Sequence, residues 1–133
     1  MHSWKILLAD DDNEDLAILQ DALESLDAAS VLRHARNGEE VIQILEEEYI
    51  HIDHPCLIVL DLNMPKLNGT ETLRRIKSDD RFKHIPVIIY STSINPLERE
   101  KCLSLGAHSY IAKPVSFKEN IEIARHLLQV CDA

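Results

Sequence analysis

Asp10, Asp11 and Asp12 stand in a row directly after an apolar run, and Asp61 stands directly after another. Carboxylates at such positions have two readings. In one, Asp12 caps a helix that follows and its neighbours are merely solvated. In the other, the two runs are adjacent strands and at least three carboxylates converge on one crevice. Like charges held that close are costly unless something neutralises them. A hard divalent cation with oxygen ligands does so, and Mg²⁺ is the abundant candidate. Asp61 then also suits phosphoryl acceptance. With an ordinary pKa of about 3.9 it is ionised at neutral pH, so it needs no general base to attack phosphorus. A bound cation offsets the charge that nucleophile, phosphoryl group and neighbouring acids share. These residues alone leave both readings open.

The elements that must position them follow from patterning. Lys5 to Ala9 reads as a strand, and Leu16, Leu19, Leu23 and Leu26 then recur at helical spacing. Val31 to Ala35 is a weaker strand. Asn37-Gly38 is a turn signal before a helix with Val41, Ile42, Leu45 and Tyr49 inward. Tyr49 to Pro55 reads as a loop. Cys56 to Leu60 is a strongly apolar strand running into Asp61. Gly69 opens a helix carrying Leu73 and Ile76, and Ser78 to Lys83 reads as polar loop. Pro86 to Tyr90 is a fourth apolar strand. Pro96 and Gly106 bracket a fourth helix, Ser109 to Ala112 is a fifth strand, and Phe117, Ile121, Ala124 and Leu128 form the core stripe of a closing helix.

Strands alternating with helices call for a doubly wound α/β fold: a five-stranded parallel sheet with helices on both faces. Right-handed crossovers leave few topologies, and the order 2-1-3-4-5, flavodoxin-like, is the common one at this size. It makes the first and third strands neighbours and puts a ligand crevice beyond their C-terminal ends. Lys113 follows the fifth strand on the same edge, where acids nearby favour a counter-ion role. Ser91 follows the fourth.

The chain has 133 residues, which suits one domain over 1–133. It stops three residues after Val130, so no output domain is expected. The net charge of −9 repels a phosphate backbone, and no nucleic-acid partner is expected. No apolar run approaches membrane-spanning length and the start lacks a signal peptide, so no membrane partner is expected and the cytoplasm is. Cys56, Cys102 and Cys131 are widely spaced, which suggests reduced thiols. His51 and His54 sit in a loop without a third ligand, which argues against a metal site.

Together the motifs resemble the receiver domain of two-component response regulators. The residues that carry the resemblance are Ile-Leu-Leu-Ala-Asp-Asp-Asp at 6 to 12 and Leu-Ile-Val-Leu-Asp-Leu-Asn-Met-Pro at 57 to 65, with Pro65 and then Gly69. Ser91 after Pro-Val-Ile-Ile-Tyr and Gly-Ala-His-Ser-Tyr-Ile-Ala-Lys-Pro at 106 to 114 complete the set. The resemblance implies that Asp61 is the phosphoacceptor. It implies that Asp11 ligates Mg²⁺ directly, that Asp10 acts mostly through water, and that Asn63 offers its backbone carbonyl. Ser91 and Lys113 would contact phosphoryl oxygens, with Lys113 pairing with Asp61 in the free state. The bond between Lys113 and Pro114 would be cis. Tyr110 would turn inward as Ser91 moves, switching the face formed by the fourth helix, fifth strand and fifth helix.

The implied partners are a sensor histidine kinase or a histidine phosphotransfer protein, and a separate downstream effector. Asp80 to Pro86 and Tyr90 to Ser93 are similar to stand-alone regulators, some of which serve phytochrome-like kinases. Ile123, Leu127 and Val130 widen the apolar arc of the last helix, which suggests a partner or homodimer surface. Two other classes remain as alternatives. A magnesium-dependent phosphatase or phosphotransferase with an aspartyl nucleophile needs a second acid two residues on, where Asn63 stands. A degenerate receiver would bind partners without phosphorylation, which the intact set of Asp10, Asp11, Asp61, Ser91 and Lys113 opposes. With only three glycines, a nucleotide-binding loop is disfavoured.

Overall fold

A computed structural model describes residues 4–50, 55–92 and 95–132. The strands are β1 (Ile6–Ala9), β2 (Leu32–Ala35), β3 (Leu57–Leu60), β4 (Val87–Ser91) and β5 (Ser109–Ala112). The helices are α1 (Asn13–Ser25), α2 (Gly38–Ile50), α3 (Gly69–Ser78), α4 (Pro96–Ser104) and α5 (Phe117–Asp132), and a 3₁₀ turn, Ala29–Val31, leads into β2. All pairings are parallel, in the order β2-β1-β3-β4-β5. The expected doubly wound topology is present.

The three central strands are buried at every residue. Because successive side chains alternate sides, each strand feeds two cores. Leu7, Ala9, Ile58, Leu60, Val87 and Ile89 pack with residues of α2, α3 and α4. Ile6, Leu8, Leu57, Val59, Ile88 and Tyr90 pack with α1 and α5. The helices start where short polar side chains cap them. Asp12 accepts from the Glu14 and Asp15 amides, Asn68 from Glu71, and Asn95 from Leu97. Gly106, at φ +108°, follows α4 in a backbone conformation suited to glycine.

Several expectations need correction. Tyr49 is half exposed rather than inward, with its ring perpendicular to that of Phe82 and Arg81 above it. Helix α2 extends through Tyr49 to Ile50, because its apolar face still has Phe82 to cover. The polar stretch after α3 supplies a core residue, Phe82, only 1% exposed. On α5, Phe117 is half exposed, whereas Leu127 is buried and Ile123 and Val130 pack on the same core. The second apolar set of α5 thus packs on the core, with Leu127 buried and Ile123 and Val130 partly so; the helix lies in a groove between α1 and the sheet, which covers a wide arc. Cys56, just before β3, and Cys131, in the last turn of α5, are joined as a disulfide with Cα atoms 5.1 Å apart. That corrects the expectation of three reduced thiols; Cys102 is free and buried. His51, His54 and Ser93 lie outside the described residues.

Gly69 shows how tightly the fold frames the end of β3. A Cβ there would collide with the Asp61 carbonyl oxygen and lie 2.8 Å from the Leu62 Cα. The Gly69 amide donates to the Leu62 carbonyl at 3.1 Å. Gly69→Ala should therefore destabilise the fold by about 1–3 kcal/mol, the usual cost of overpacking a close backbone contact. Urea unfolding measures it.

Candidate phosphoacceptor and metal site

The site is built by strand ends. Ala9 pairs with Leu60, so Asp10 and Asp61 leave their strands level with each other. The Asp61 amide donates to the Ala9 carbonyl at 2.9 Å, and the Asp10 amide to the Ala35 carbonyl at 3.1 Å. Ser91 is the last residue of β4, fully buried, and pairs with Ala112. The Lys113 amide donates to the Ser91 carbonyl at 2.8 Å, which continues the ladder by one residue. Asp10, Asp61, Ser91 and Lys113 thus share one edge of the sheet.

One carboxylate oxygen from each of Asp10, Asp11 and Asp61 lies within 4.8 Å of the other two. Oxygens that ligate one Mg²⁺ at about 2.1 Å can be at most about 4.2 Å apart, so small side-chain adjustments close this group on a single ion. All the donors are hard oxygens, as such an ion requires. Asp11 is exposed, while Asp10 is 1% and Asp61 6% exposed. Asp61 is enclosed, with exposed Asp11 and Asn63 beside it.

Lys113 is the cation of the site. Its Nζ donates to Asp10 Oδ2 and to Asp15 Oδ2, both at 2.8 Å, and stands 3.6 Å from Asp61 Oδ2. The expected Lys113–Asp61 pair is present but is the loosest of the three. Asp15 was missed by sequence reasoning. Its signal was its place three residues after the Asp12 cap, in the first turn of α1, where a side chain leans back toward the strand ends. Burial alone would depress the Lys113 ammonium, but hydrogen bonds to Asp10 and Asp15 and the charges of Asp10 and Asp61 outweigh it and raise its pKa. The ammonium also lies 5.7 Å from the centroid of the Tyr90 ring. Tyr90 is anchored by its hydroxyl, which donates to Asn120 Oδ1 at 2.9 Å.

Asp10 is satisfied on its other oxygen, Oδ1, by the Asp12 amide at 2.9 Å. Burial pushes the Asp61 carboxyl up to about 6, against the opposing pull of Lys113; Asp10 adds to the rise, and the Asn63 and Leu62 amides lower it. The peptide bond between Lys113 and Pro114 is not cis, contrary to expectation. Trans is the lower-energy isomer of an X–Pro bond, and Lys113 reaches the acids in that form. Tyr110 is half buried and packs on the α2–α3–α4 side of the sheet. Pro65 is exposed, in the loop from β3 to α3.

The chain has known relatives in sequence and in fold. The family model described as "Response regulator receiver domain" matches residues 6–125. The chain belongs to that family. The chemotaxis protein CheY1 of Helicobacter pylori is 34% identical over 122 residues, which cover 90% of this chain and 94% of that one. Among solved structures, the phosphorylated cyanobacterial phytochrome response regulator RcpA superposes with a TM-score of 0.86 at 33% identity, covering 100% of this chain and 96% of that one. The Mn²⁺-bound form of response regulator Rcp1 gives 0.80 at 30% identity, covering 92% and 90%. Receiver domains are signalling switches and not conventional enzymes. Among the described residues, no helix is long and apolar enough to cross a membrane.

The raised Asp61 pKa has a consequence for stability. Between about pH 4 and 6 the folded chain keeps a proton that the unfolded chain has released, so metal-free stability falls as pH rises through that window. Asp61→Asn removes the penalty. In chelator at pH 7 the variant should be more stable than wild type by about 1–3 kcal/mol, with the gap closing below about pH 4. Urea unfolding across pH checks this.

Proposed function

We propose that this chain is a response regulator that accepts a phosphoryl group on Asp61, in a Mg²⁺-dependent step, from a sensor histidine kinase or a histidine phosphotransfer protein. One observation carries the reading: Asp10, Asp11 and Asp61 converge within 4.8 Å at neighbouring strand ends, with Lys113 3.6 Å from Asp61. The Asp61 carboxylate attacks phosphorus, and the bond from phosphorus to the donor histidine nitrogen breaks. When bound, Mg²⁺ would supply positive charge among the carboxylates and phosphoryl oxygens. Asp11 and Asp61 would hold it directly, Asp10 mainly through water, and Asn63 through its backbone carbonyl. Lys113 gives one phosphoryl oxygen a charged partner, and the Ser91 hydroxyl donates to another.

Strand geometry supports a switch. Ile89 pairs with Tyr110 and Ser91 with Ala112, so alternation puts Ser91 and Tyr110 on the same side of the sheet. Movement of Ser91 toward a phosphoryl group opens space that the Tyr110 ring can fill. The two arrangements alter the face made by α4, β5 and α5. That end of the molecule carries Leu97, 74% exposed, with Val115 fully exposed and Phe117 half exposed. A downstream effector or a second copy of the chain docks there. The likeness to the phytochrome response regulator RcpA supports a phytochrome-type kinase as donor, and a cytoplasmic location goes with that reading.

Incubation with acetyl phosphate, read by intact mass, tests the reading. One labile adduct should form only with Mg²⁺, and Asp61→Asn should abolish it. No adduct in the wild type favours a receiver that works unphosphorylated; sustained turnover of unrelated phosphoesters favours the phosphatase class. Mg²⁺ should also raise the melting temperature of wild type, by about 2.7 kcal/mol of added stability at a hundredfold excess over its dissociation constant. Asp11→Ala should weaken that effect at least tenfold in Mg²⁺ concentration, about 1.4 kcal/mol. A chain that stays monomeric at every concentration, phosphorylated or not, removes the homodimer.

A further inference from the structure

We propose that Cys56 and Cys131 are a reversible thiol–disulfide pair that sets how firmly the end of α5 is held to the sheet, at the edge opposite the acid cluster. The pair lies 75 residues apart in sequence. Cys56 stands at the N-terminal end of β3, whose other end delivers Asp61. Helix α5 runs back along the sheet and brings Cys131 down to that same end. The Cα separation of 5.1 Å lies within the span that a disulfide bridges without backbone movement.

Three observations favour a bond that opens and closes. Both cysteines are partly exposed, so a small thiol can reach them. The Cys56 sulfur is 3.3 Å from the Lys5 carbonyl oxygen, an acceptor that serves the thiol when the bond is open. Around Cys131, Leu127 is buried and Leu128 and Val130 pack on the core, so α5 stays docked without the bond. Cys102 makes the contrast. It is fully buried in the other core, with its thiol pKa raised by burial, and has no cysteine beside it.

The oxidant is a low-molecular-weight disulfide of the glutathione class. One cysteine thiolate attacks it, forming a mixed disulfide and releasing one small thiol. The second cysteine attacks the mixed disulfide and releases the other small thiol. The protein loses two S–H bonds and gains one S–S bond; the two electrons and two protons leave on the released thiols. The bond closes a long loop and so restricts the unfolded chain. Locally it suppresses fraying of the last turns of α5, a helix that borders the proposed signalling face.

The test equilibrates the chain with defined ratios of oxidised and reduced glutathione, then alkylates it in denaturant and reads intact mass. The reduced chain should take up three alkyl groups, one for each cysteine. The oxidised chain should take up one, on Cys102, and before alkylation weigh about 2 Da less than the reduced form. Oxidation should raise the melting temperature by roughly 5–10 °C and slow amide exchange in the last turns of α5 by about tenfold. Cys56→Ser and Cys131→Ser should each abolish both effects. Three alkylatable thiols at every ratio, a bond that excess reduced glutathione cannot open, or oxidation without a thermal shift would overturn the proposal. The wild type in its two redox forms decides this even if a serine variant folds poorly.

Discussion

One ammonium among several carboxylates governs the rest of the structure. Lys113, Asp10 and Asp61 have side chains less than a tenth exposed, and a charge so placed is tolerated only with partners on nearly every polar atom. The chain meets that demand. Asp10 takes Lys113 on one oxygen and the Asp12 amide on the other, while Asp61 has two backbone amides and the ammonium nearby. Still, among the described residues a single cation faces Asp10, Asp15 and Asp61, with Asp11 just outside. The residual negative charge is what a divalent ion would offset.

Holding these groups together is the work of the sheet. Backbone hydrogen bonds extend the ladder past the strands, from Asp61 to Ala9 and from Lys113 to Ser91. The Lys113–Ser91 bond keeps the ends of β4 and β5 in register. On the far side of β3, α3 presses so close that only glycine fits at position 69, and this contact sets where the loop after Asp61 can go. Tyr90 and Asn120 complete the support from the α5 side.

Much of this was legible in the sequence, for identifiable reasons. Strands buried on both faces must be apolar throughout, so β1, β3 and β4 stand out, and Asp10 and Asp61 follow the last residues of β1 and β3 without an intervening loop. Sheet order then brings Asp10 to Asp61. Relations that depend on three-dimensional direction were not legible. Asp15 joins Lys113 only because a helical side chain leans toward the N-terminus. Phe82 sits in a stretch polar on average, and its burial depends on α2 and α3 meeting over it. The wide apolar arc of α5 reads as spare surface until α1 and the sheet are seen to enclose it. Cys56 and Cys131 meet only after the chain has crossed half the fold.

The two cores, divided by the sheet, have a consequence for how such a protein diversifies. Almost every residue of the central strands is committed to one core or the other, and the chemistry is attached to their tips. Substitutions are therefore best tolerated on the outward faces of the helices and in the loops beyond them. A new docking surface could be built there without disturbing the cores that hold the strand tips in place.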